Sequence, residues 1–401
     1  MRKWFLLSLI GLTVSCSKIT TQEELPVTHD LEPQTMTTLL PVVHIEADPS
    51  DLARLMKDFN ARIKVSSLVT IYGPTKEVLV RDNANIEIKG AGSASMDMKP
   101  IGIVFENEFN NTELKVITPK VTGHDDNLGI LQNIRLRNSS QDYGITMIKD
   151  LAYCELALRA GFDLELKYGR PAHVFINSEY YGLHNLRTEV DRLALSHLLD
   201  VDSSAITMIK MEIDDQKLKF KDGNEVLAKT FIQSIKDEDV ATLKSHLDID
   251  NFVDYIIFQD HSGNTDWPRN NARAYSVNGS KFRFLLFDLD RAAERTNKPI
   301  LPQMEYLDDH ISQIYQILLK QDPGFRAYVE ERQKYWYEKL SPALFNVIVD
   351  ELSENIENEI PYLISRRGVP ESSMEWKINL NRLKREFERT DKSNRKKYQI
   401  R

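Results

Sequence analysis

The sequence predicts an α+β fold with two lobes, a β-rich N-terminal lobe followed by a mainly helical C-terminal lobe. Two patterns predict it. From Val65 to Phe105, apolar and polar residues alternate, as they do in strands of an antiparallel sheet, and further short strands are indicated up to about residue 190. After residue 190, apolar residues recur at helical spacing instead. A chain of 401 residues with 41% hydrophobic content can bury a sizeable core, and a ligand cleft often lies between two such lobes.

The first residues predict export and a lipid anchor. Two basic residues precede an apolar run at 4–14, which is too short to span a bilayer comfortably. The run ends at Cys16, in a segment that resembles the cleavage site of bacterial lipoproteins, although Thr13 stands where Leu is usual. We therefore predict a signal peptide at 1–15 and a lipidated Cys16 with a flexible polar tether at 16–38, facing the periplasm or the outer surface. An ordinary signal peptide with a coincidental Cys is the alternative.

Composition narrows the remaining classes. The formal net charge of −8 argues against a nucleic-acid binder, which needs a basic face. If Cys16 carries lipid, only Cys154 remains, so we expect no internal disulfide. Cys154 lies on an apolar stripe at helical spacing and is expected to be a packed core thiol. The nine histidines do not cluster at ligand spacing, so a zinc site is not expected.

The elements of the N-terminal lobe, assigned to 39–190, follow one another in a clear order. We expect a strand at 39–45, a short helix capped by Asp48 or Ser50, strands between 65 and 105, a strand around 134–136, a helix at 148–159 closed by Gly161, and a hairpin of strands at 174–176 and 181–186. This half of the chain is therefore mostly β, with one prominent helix.

The C-terminal lobe is assigned to 191–375. Its main helical patterns lie at 252–259, 311–319, 325–340 and 344–360. One exception is the solid apolar run at 284–287, which predicts a buried strand. The remaining residues, 376–401, predict a basic C-terminal helix or tail with solvated charges, rather than a binding arm.

A loop of small residues at 89–95 is the first candidate for chemistry. Gly90, Gly92 and Ser93 offer backbone donors that can face a phosphate, and Lys99 follows shortly before a strand. Such an arrangement is typical of phosphate binding. An ordinary turn with a surface lysine is the alternative from these residues alone.

An Asp with an Asn five residues later is the second candidate. Asp266 and Asn271 have the spacing of a kinase catalytic loop, in which the Asp orients the substrate hydroxyl and the Asn binds magnesium. The usual flanking His-Arg pair is absent, so a plain polar turn is the alternative.

Two carboxylates after the apolar run form the third candidate. Asp288 and Asp290 directly follow the predicted buried strand. Burying such charges without a cation is costly, which favours a metal-binding role for Asp288. The order of loop, lysine, helix, hairpin, Asp-x4-Asn and strand-Asp is that of a two-lobed protein kinase.

These segments together resemble the CotH (spore coat protein H) kinase-like family over residues 40–365. The resemblance rests on Gly-Ala-Gly-Ser-Ala-Ser at 90–95 with Lys-Pro at 99–100, Leu-Arg-Asn-Ser-Ser-Gln-Asp at 136–142, Val-Phe-Ile-Asn-Ser-Glu-Tyr-Tyr-Gly at 174–182, Asn-Thr-Asp-Trp-Pro-Arg-Asn-Asn at 264–271 and Phe-Asp-Leu-Asp at 287–290. It implies a secreted atypical kinase with a protein-kinase-like fold, which uses ATP and Mg²⁺ or Mn²⁺ on Ser or Thr of a protein.

Carried over by position, the resemblance also implies roles for individual residues. They are Lys99 for the ATP phosphates, Asp266 for the catalytic carboxylate, Asn271 (Asn270 as the weaker choice) for a metal ligand, and Asp288, supported by Asp290, for the principal metal ligand. Arg137 and Asp142 look architectural within the cleft.

One departure from the family pattern concerns a glutamate after the hairpin. The family has a Glu six residues after the Gly of the hairpin, whereas Thr188 stands there and Glu189 comes one residue late. A small bulge would bring Glu189 into place. Three readings stay open: an active kinase, an inactive kinase-like scaffold of the cell envelope, and a metal- or carbohydrate-binding lipoprotein, for which Trp267 is the obvious cleft aromatic.

Overall fold

A computed structural model of the chain describes residues 32–90, 92–110, 130–295 and 298–400. The predicted signal peptide, Cys16 and most of the predicted tether lie outside these residues. Within the described ranges, no helix is both long enough and apolar enough to cross a membrane.

The β-rich half of the chain closes into a seven-stranded barrel. Its strands are β1 Val42–Ala47, β2 Val65–Tyr72, β3 Val78–Ile88, β4 Ile101–Asn110, β5 Ile130–Arg137, β6 Gly169–Ile176 and β7 Glu179–Thr188. The order around the barrel is β1-β2-β3-β4-β5-β7-β6. Neighbours pair antiparallel except β1 and β6, which are parallel and close the barrel with Val43 opposite Val174. Alternate residues fill its interior, among them Val43, Val69, Ile86 and Ile103.

Closure distinguishes this barrel from the simple antiparallel sheet that the sequence predicts. The contact that closes it joins strands more than a hundred residues apart, and no local pattern reports such a pairing. The local predictions are confirmed where they rest on local chemistry. Asp48 caps helix α1 (Pro49–Lys57) by accepting from the backbone N–H groups of Ser50 and Asp51. Gly161 ends helix α2 (Lys149–Ala160) in the left-handed conformation, at φ +89°.

Ten of the twelve residues of α2 are buried, so this helix lies in the interior of the molecule. Cys154 is among them and is a free, buried thiol, as predicted. Its neighbour Asp150 is also buried, and it contacts the candidate site described below.

The second half of the chain is mainly helical, but it also contains a sheet that the sequence did not predict. The strands are β8 Ile206–Glu212, β9 Lys217–Asp222, β10 Arg273–Val277 and β11 Arg283–Phe284, in the order β11-β10-β8-β9. The predicted strand at 284–287 is therefore wrong in extent, since only Phe284 of that run pairs in the sheet. Leu286 instead makes an isolated parallel bridge to Leu166, next to the barrel.

The described helices of this half include all four that the sequence predicts. They are α3 Arg192–Leu198, α4 Glu225–Lys236, α5 Val240–His246, α6 Ile249–Ser262, α7 Leu301–Met304, α8 His310–Gln321, α9 Phe325–Lys339, α10 Pro342–Glu357, α11 Ile360–Arg367 and α12 Ser373–Tyr398. The predicted helix at 344–360 is divided between α10 and α11.

Helix α12 is a packed element and not a solvated tail. Trp376, Leu383 and Phe387 are buried on one of its faces, and the ring of Phe387 stacks on Phe345 of α10 with centroids 4.1 Å apart. Such a pair contributes about 1 kcal/mol beyond its buried area. The basic residues follow the other face, so the sequence shows the charge but not the packing.

Candidate functional site

A cavity of about 420 Å³ lies between the barrel and the second half of the chain. Residues of the β3–β4 loop and of β5 line it on one side. The segments that contain Asp266, Asn271 and Asp288 line it on the other. A larger hollow of about 630 Å³ lies beside α4 and α5, but it contains no predicted site residue.

Most of the predicted site residues line this one cavity. They are Gly90, Gly92, Ser93, Asp266, Asn270, Asn271, Asp288 and Asp290. They come from segments that are separated by up to 200 residues, so the fold brings them together. Lys99 and Glu189 are not among the lining residues.

Lys99 supports the loop beside the cavity. Its Nζ donates to the backbone oxygens of Ala94, at 2.9 Å, and Met96, at 3.1 Å. The same amine lies 4.4 Å from the centroid of the Phe59 ring. It therefore satisfies carbonyls at the end of the short 3₁₀ helix Gly92–Ser95, and the predicted contact between Lys99 and a phosphate is not supported by its position.

Five other basic residues line the described part of the cavity, and no sequence pattern assigns any of them to phosphate binding. They are Arg62, Arg135, Arg137, Lys167 and Arg273, and they face three lining carboxylates, Asp266, Asp288 and Asp290. A sequence signal existed for two of them, since Arg135 and Arg137 alternate on β5 and so project to the same face of the strand. Nothing local marks Lys167.

Glu189 holds two of these cations. One carboxylate oxygen lies 3.3 Å from Nε of Arg135, and the other lies 3.4 Å from Nζ of Lys167. Burial raises the pKa of Glu189, but the combined effect of the nearby positive charges, chiefly Arg135 and Lys167, is larger and lowers it. The net shift of the pKa is therefore downward, and the group stays ionised. The hairpin does contain a bulge, at Tyr181, but it precedes Gly182. Glu189 instead reaches the cations because it lies just beyond the end of β7.

Lys167 is almost fully buried, and burial lowers the pKa of its amine to about 7. Glu189 opposes this shift, while Arg135 and Arg273 add to it. The amine also lies 5.9 Å from the centroid of the Phe287 ring. A lysine that titrates near neutrality inside a cavity is a candidate functional group.

The carboxylates of Asp288 and Asp290 both pair with Arg137. Nη2 of Arg137 contacts Oδ1 of Asp288 and lies 3.0 Å from Oδ2 of Asp290. Burial raises the pKa of Asp290 to about 6. Burial acts in the same direction on Asp288, but Arg137 outweighs it and lowers the pKa. Two neighbouring carboxyls with opposite shifts are typical of acid–base and metal sites.

Asp150 of α2 stabilises the segment that contains Asp288 and Asp290. Its Oδ1 accepts from the backbone N–H of Leu289, between the two carboxylates, at 2.8 Å. Its Oδ2 lies 2.6 Å from Nη1 of Arg187 and 3.7 Å from Nε of Arg137. Burial raises the pKa of Asp150, but the two guanidinium groups lower it well below its usual range.

Asp266 and its loop are joined to Asp288 through Asn264. Oδ1 of Asn264 accepts from the backbone N–H of Asp266 at 3.1 Å, and its Nδ2 lies 3.4 Å from the carbonyl oxygen of Asp288. The carboxylate of Asp266 accepts from Nη1 of Arg291 at 2.9 Å. Burial raises the pKa of Asp266, and Arg291 offsets only part of this.

Four of the described lining residues that bear side chains adopt a left-handed backbone conformation, which is rare for such residues. Arg62 has φ +54°, Ser140 has φ +50°, Asn271 has φ +54° and Asp288 has φ +63°. Such conformations cluster at functional sites. The buried Nδ2 of Asn271 has no hydrogen-bond partner among the described residues, so its amide can bind a group that enters the cavity.

The family comparison agrees with this geometry. The family model described as CotH kinase protein matches residues 86–393, which is most of the chain. This chain belongs to the CotH kinase family. The part that matches the CotH model contains every lining residue named above except Arg62. No curated protein matches the chain.

Membership of the CotH kinase family suggests the use of ATP and a divalent metal, and the charged residues of the cavity suit a metal and a phosphate chain. Within the described part of the chain, no group of three or more His, Cys, Asp or Glu side chains could hold a metal ion by itself. Mg²⁺, however, is usually held by one or two carboxylates together with substrate phosphates. Asp288, Asp290 and the amide of Asn271 supply such a set, and the surrounding cations suit a polyphosphate.

Trp267 does not fit the third reading of the sequence. Its side chain is buried, and its Nε1 donates to the hydroxyl of Tyr255 at 2.9 Å. It therefore packs in the core beneath the loop and offers no aromatic surface for a carbohydrate.

Proposed function

We propose that this chain is an active CotH-type kinase with a two-lobed, kinase-like arrangement, in which the barrel forms one lobe. It binds ATP with Mg²⁺ or Mn²⁺ in the cavity and transfers the γ-phosphate to Ser or Thr of a protein. The observation that carries the proposal is the convergence of Asp266, Asn271, Asp288 and Asp290 with five basic side chains in one cavity.

The chemistry of several residues in and beside the cavity assigns each of them a role. Asp266 accepts or orients the proton of the substrate hydroxyl, a task for which a raised pKa is favourable. Lys167 and Arg273 neutralise phosphate oxygens, the role that the sequence assigned to Lys99. Glu189 keeps Lys167 oriented through their ion pair. A divalent metal, when bound, would offset the negative charge of the phosphates.

Arg137 competes with a metal for the two carboxylates. Its guanidinium contacts one oxygen of Asp288 and one of Asp290, so a bound metal would use the other oxygens or displace the guanidinium. This same contact favours a second candidate function, an inactive kinase-like scaffold in which Arg137 permanently occupies the place of the metal.

Binding of nucleotide separates the two candidates. The melting temperature of the purified protein should rise with millimolar ATP and either Mg²⁺ or Mn²⁺, and the rise should require the metal. Asp288→Asn should abolish it, while Lys99→Met, outside the cavity, serves as the matched control and should retain it. If neither metal supports a shift at millimolar ATP, the kinase proposal is wrong and the scaffold is favoured.

We also propose that the protein is exported and anchored to the cell envelope through lipid on Cys16. The support is the sequence alone, namely the basic start, the short apolar run and the following Cys. Labelling of cells with an alkyne fatty acid tests the proposal, with Cys16→Ser as the variant that should lose the label.

A further inference from the structure

Among the described residues, the wall of the cavity contains little that could hold a nucleobase. The described lining side chains with sizeable apolar surface are Pro100, Ile213 and Phe287. Ile213 is 62% exposed, so it lies at the mouth. Lys167 and Arg273 lie over the ring of Phe287, with Arg273 Cζ 4.8 Å from the centroid, so that ring is already covered. Bound aromatic ligands are normally enclosed by apolar and aromatic walls.

An apolar hollow does lie nearby, but a base cannot enter it in this conformation. Leu166, Val190 and Leu195 contribute to its lining, and its volume is about 10 Å³. A cavity of that size barely admits one water molecule. Glu189 lines this apolar hollow, and Lys167 lines the 420 Å³ cavity of the candidate site, so their ion pair lies between the two spaces.

The polar wall, by contrast, matches a phosphate chain. Five basic side chains and three carboxylates line the described part of the cavity, and Glu189 pairs with Arg135 and Lys167 from behind them. Arginine groups bind phosphate oxygens through two parallel hydrogen bonds. The unpartnered Nδ2 of Asn271 offers a further donor.

We propose that the cavity recognises the triphosphate chain of its donor and not the base. The donor class is then any metal-bound triphosphate, with adenine contributing little to the affinity. This inference rests on the proposed function, because it concerns the ligand of the same cavity.

Calorimetric titration of the purified protein tests the inference, with free Mg²⁺ held constant and in excess. The ligands are ATP, GTP, CTP, inorganic tripolyphosphate and adenosine. We expect the dissociation constants of the three nucleotides to agree within about threefold and tripolyphosphate to bind within about tenfold of ATP, because the base adds few contacts. Adenosine should not bind at millimolar concentration.

Two variants make the test sharper. Arg62 is exposed at the rim, so Arg62→Ala should leave the fold intact and weaken ATP, CTP and tripolyphosphate by the same factor, about three- to tenfold. Ile213→Ala, also at the rim, should change none of the affinities by more than about twofold.

The outcomes distinguish this inference from the proposed function. ATP binding that is thirtyfold or more tighter than both CTP and tripolyphosphate (a threshold of about 2 kcal/mol) would overturn the inference but keep the kinase proposal. A loss of ATP affinity alone in Ile213→Ala would do the same, because it would place the base at the mouth. Absence of binding by every triphosphate would overturn the proposed function and the inference with it.

Discussion

Replacement of Asp150 should reveal how much the candidate site depends on one buried carboxylate. Its Oδ2 lies 2.6 Å from Nη1 of Arg187, a side chain with no exposed surface. Arg187 keeps only neutral partners without it, the carbonyl oxygen of Lys167 at 2.7 Å and Sγ of Cys154 at 3.4 Å. Removing one partner of a buried ion pair costs about 3–5 kcal/mol, because the other charge is left uncompensated.

Two variants divide this cost into its parts. Asp150→Asn removes the charge but keeps an oxygen for the backbone N–H of Leu289, so it should lose about 3–5 kcal/mol of unfolding free energy. Asp150→Ala also leaves that N–H unsatisfied, which adds about 1–3 kcal/mol. The freed Leu289 lies between Asp288 and Asp290, so Asp150→Ala should weaken metal-dependent ATP binding more than Asp150→Asn does.

Urea denaturation followed by circular dichroism measures both values. The matched control is Asp51→Asn, which removes the same charge from an exposed pair with Arg54 and should cost less than about 1 kcal/mol. The pKa of Asp150 is lowered in the folded state, so its contribution is present above its unfolded pKa of about 3.9 and is lost as the pH falls through the folded value. The difference in unfolding free energy between the wild type and Asp150→Asn should therefore become smaller below about pH 4. A loss within about 1 kcal/mol for Asp150→Asn at pH 7 would refute the argument that Arg187 depends on this carboxylate.

Four further outcomes are expected. Burial lowers the pKa of Lys167 to about 7, and bound phosphate should raise it, so ATP binding at pH 8 should be accompanied by proton uptake. Calorimetry in buffers of different ionisation enthalpy should show this uptake in the wild type and not in Lys167→Met. Zero uptake in the wild type would contradict the proposed role of the amine. Asp266→Asn should keep the ATP-dependent rise in melting temperature and lower phosphoryl transfer at least ~100-fold, whereas unchanged transfer would exclude Asp266 as the base. Tyr398→Phe removes a 2.8 Å hydrogen bond to the buried carboxylate of Asp260 and should cost about 1.5–3 kcal/mol in denaturation, while a loss near zero would mean that α12 does not stabilise the end of α6. Cys16→Ser should lose fatty-acid label and leave the membrane fraction, and retained label would show that the lipid is attached elsewhere.

The motifs that belong to one short segment could be predicted from sequence. Asp266 and Asn271 lie on a single loop, and Asp288 and Asp290 on another, so their spacing along the chain carries the signal. The predicted contact between Lys99 and a phosphate has less support, because it depends on where the side chain points and hence on its surroundings. The amine of Lys99 donates to the backbone carbonyls of Ala94 and Met96 in the adjoining turn.

The cations that line the cavity could not be found in this way. Lys167 stands in a connecting segment before β6, and the fold brings it to the cavity together with Arg135 of β5 and Glu189, which lies just beyond β7. Similarly, β8 and β9 were missed: they form a hairpin with each other, but the sheet is completed by β10 and β11, which follow much later in the chain. Such pairings depend on long-range contacts, to which local periodicity is blind.

The sequence by itself determined the α+β character of the chain, an N-cap at Asp48 or Ser50, the end of α2 at Gly161 and the carboxylate motifs of the CotH family. Each of these follows from chemistry within a few residues, where backbone geometry limits the choices. Only the tertiary structure decided that the strands close into a barrel through β1 and β6, and that α12 packs into the core. It also decided that Arg137 engages both Asp288 and Asp290. These features join residues that are distant in sequence, and their energies depend on burial and on partners that no local pattern contains.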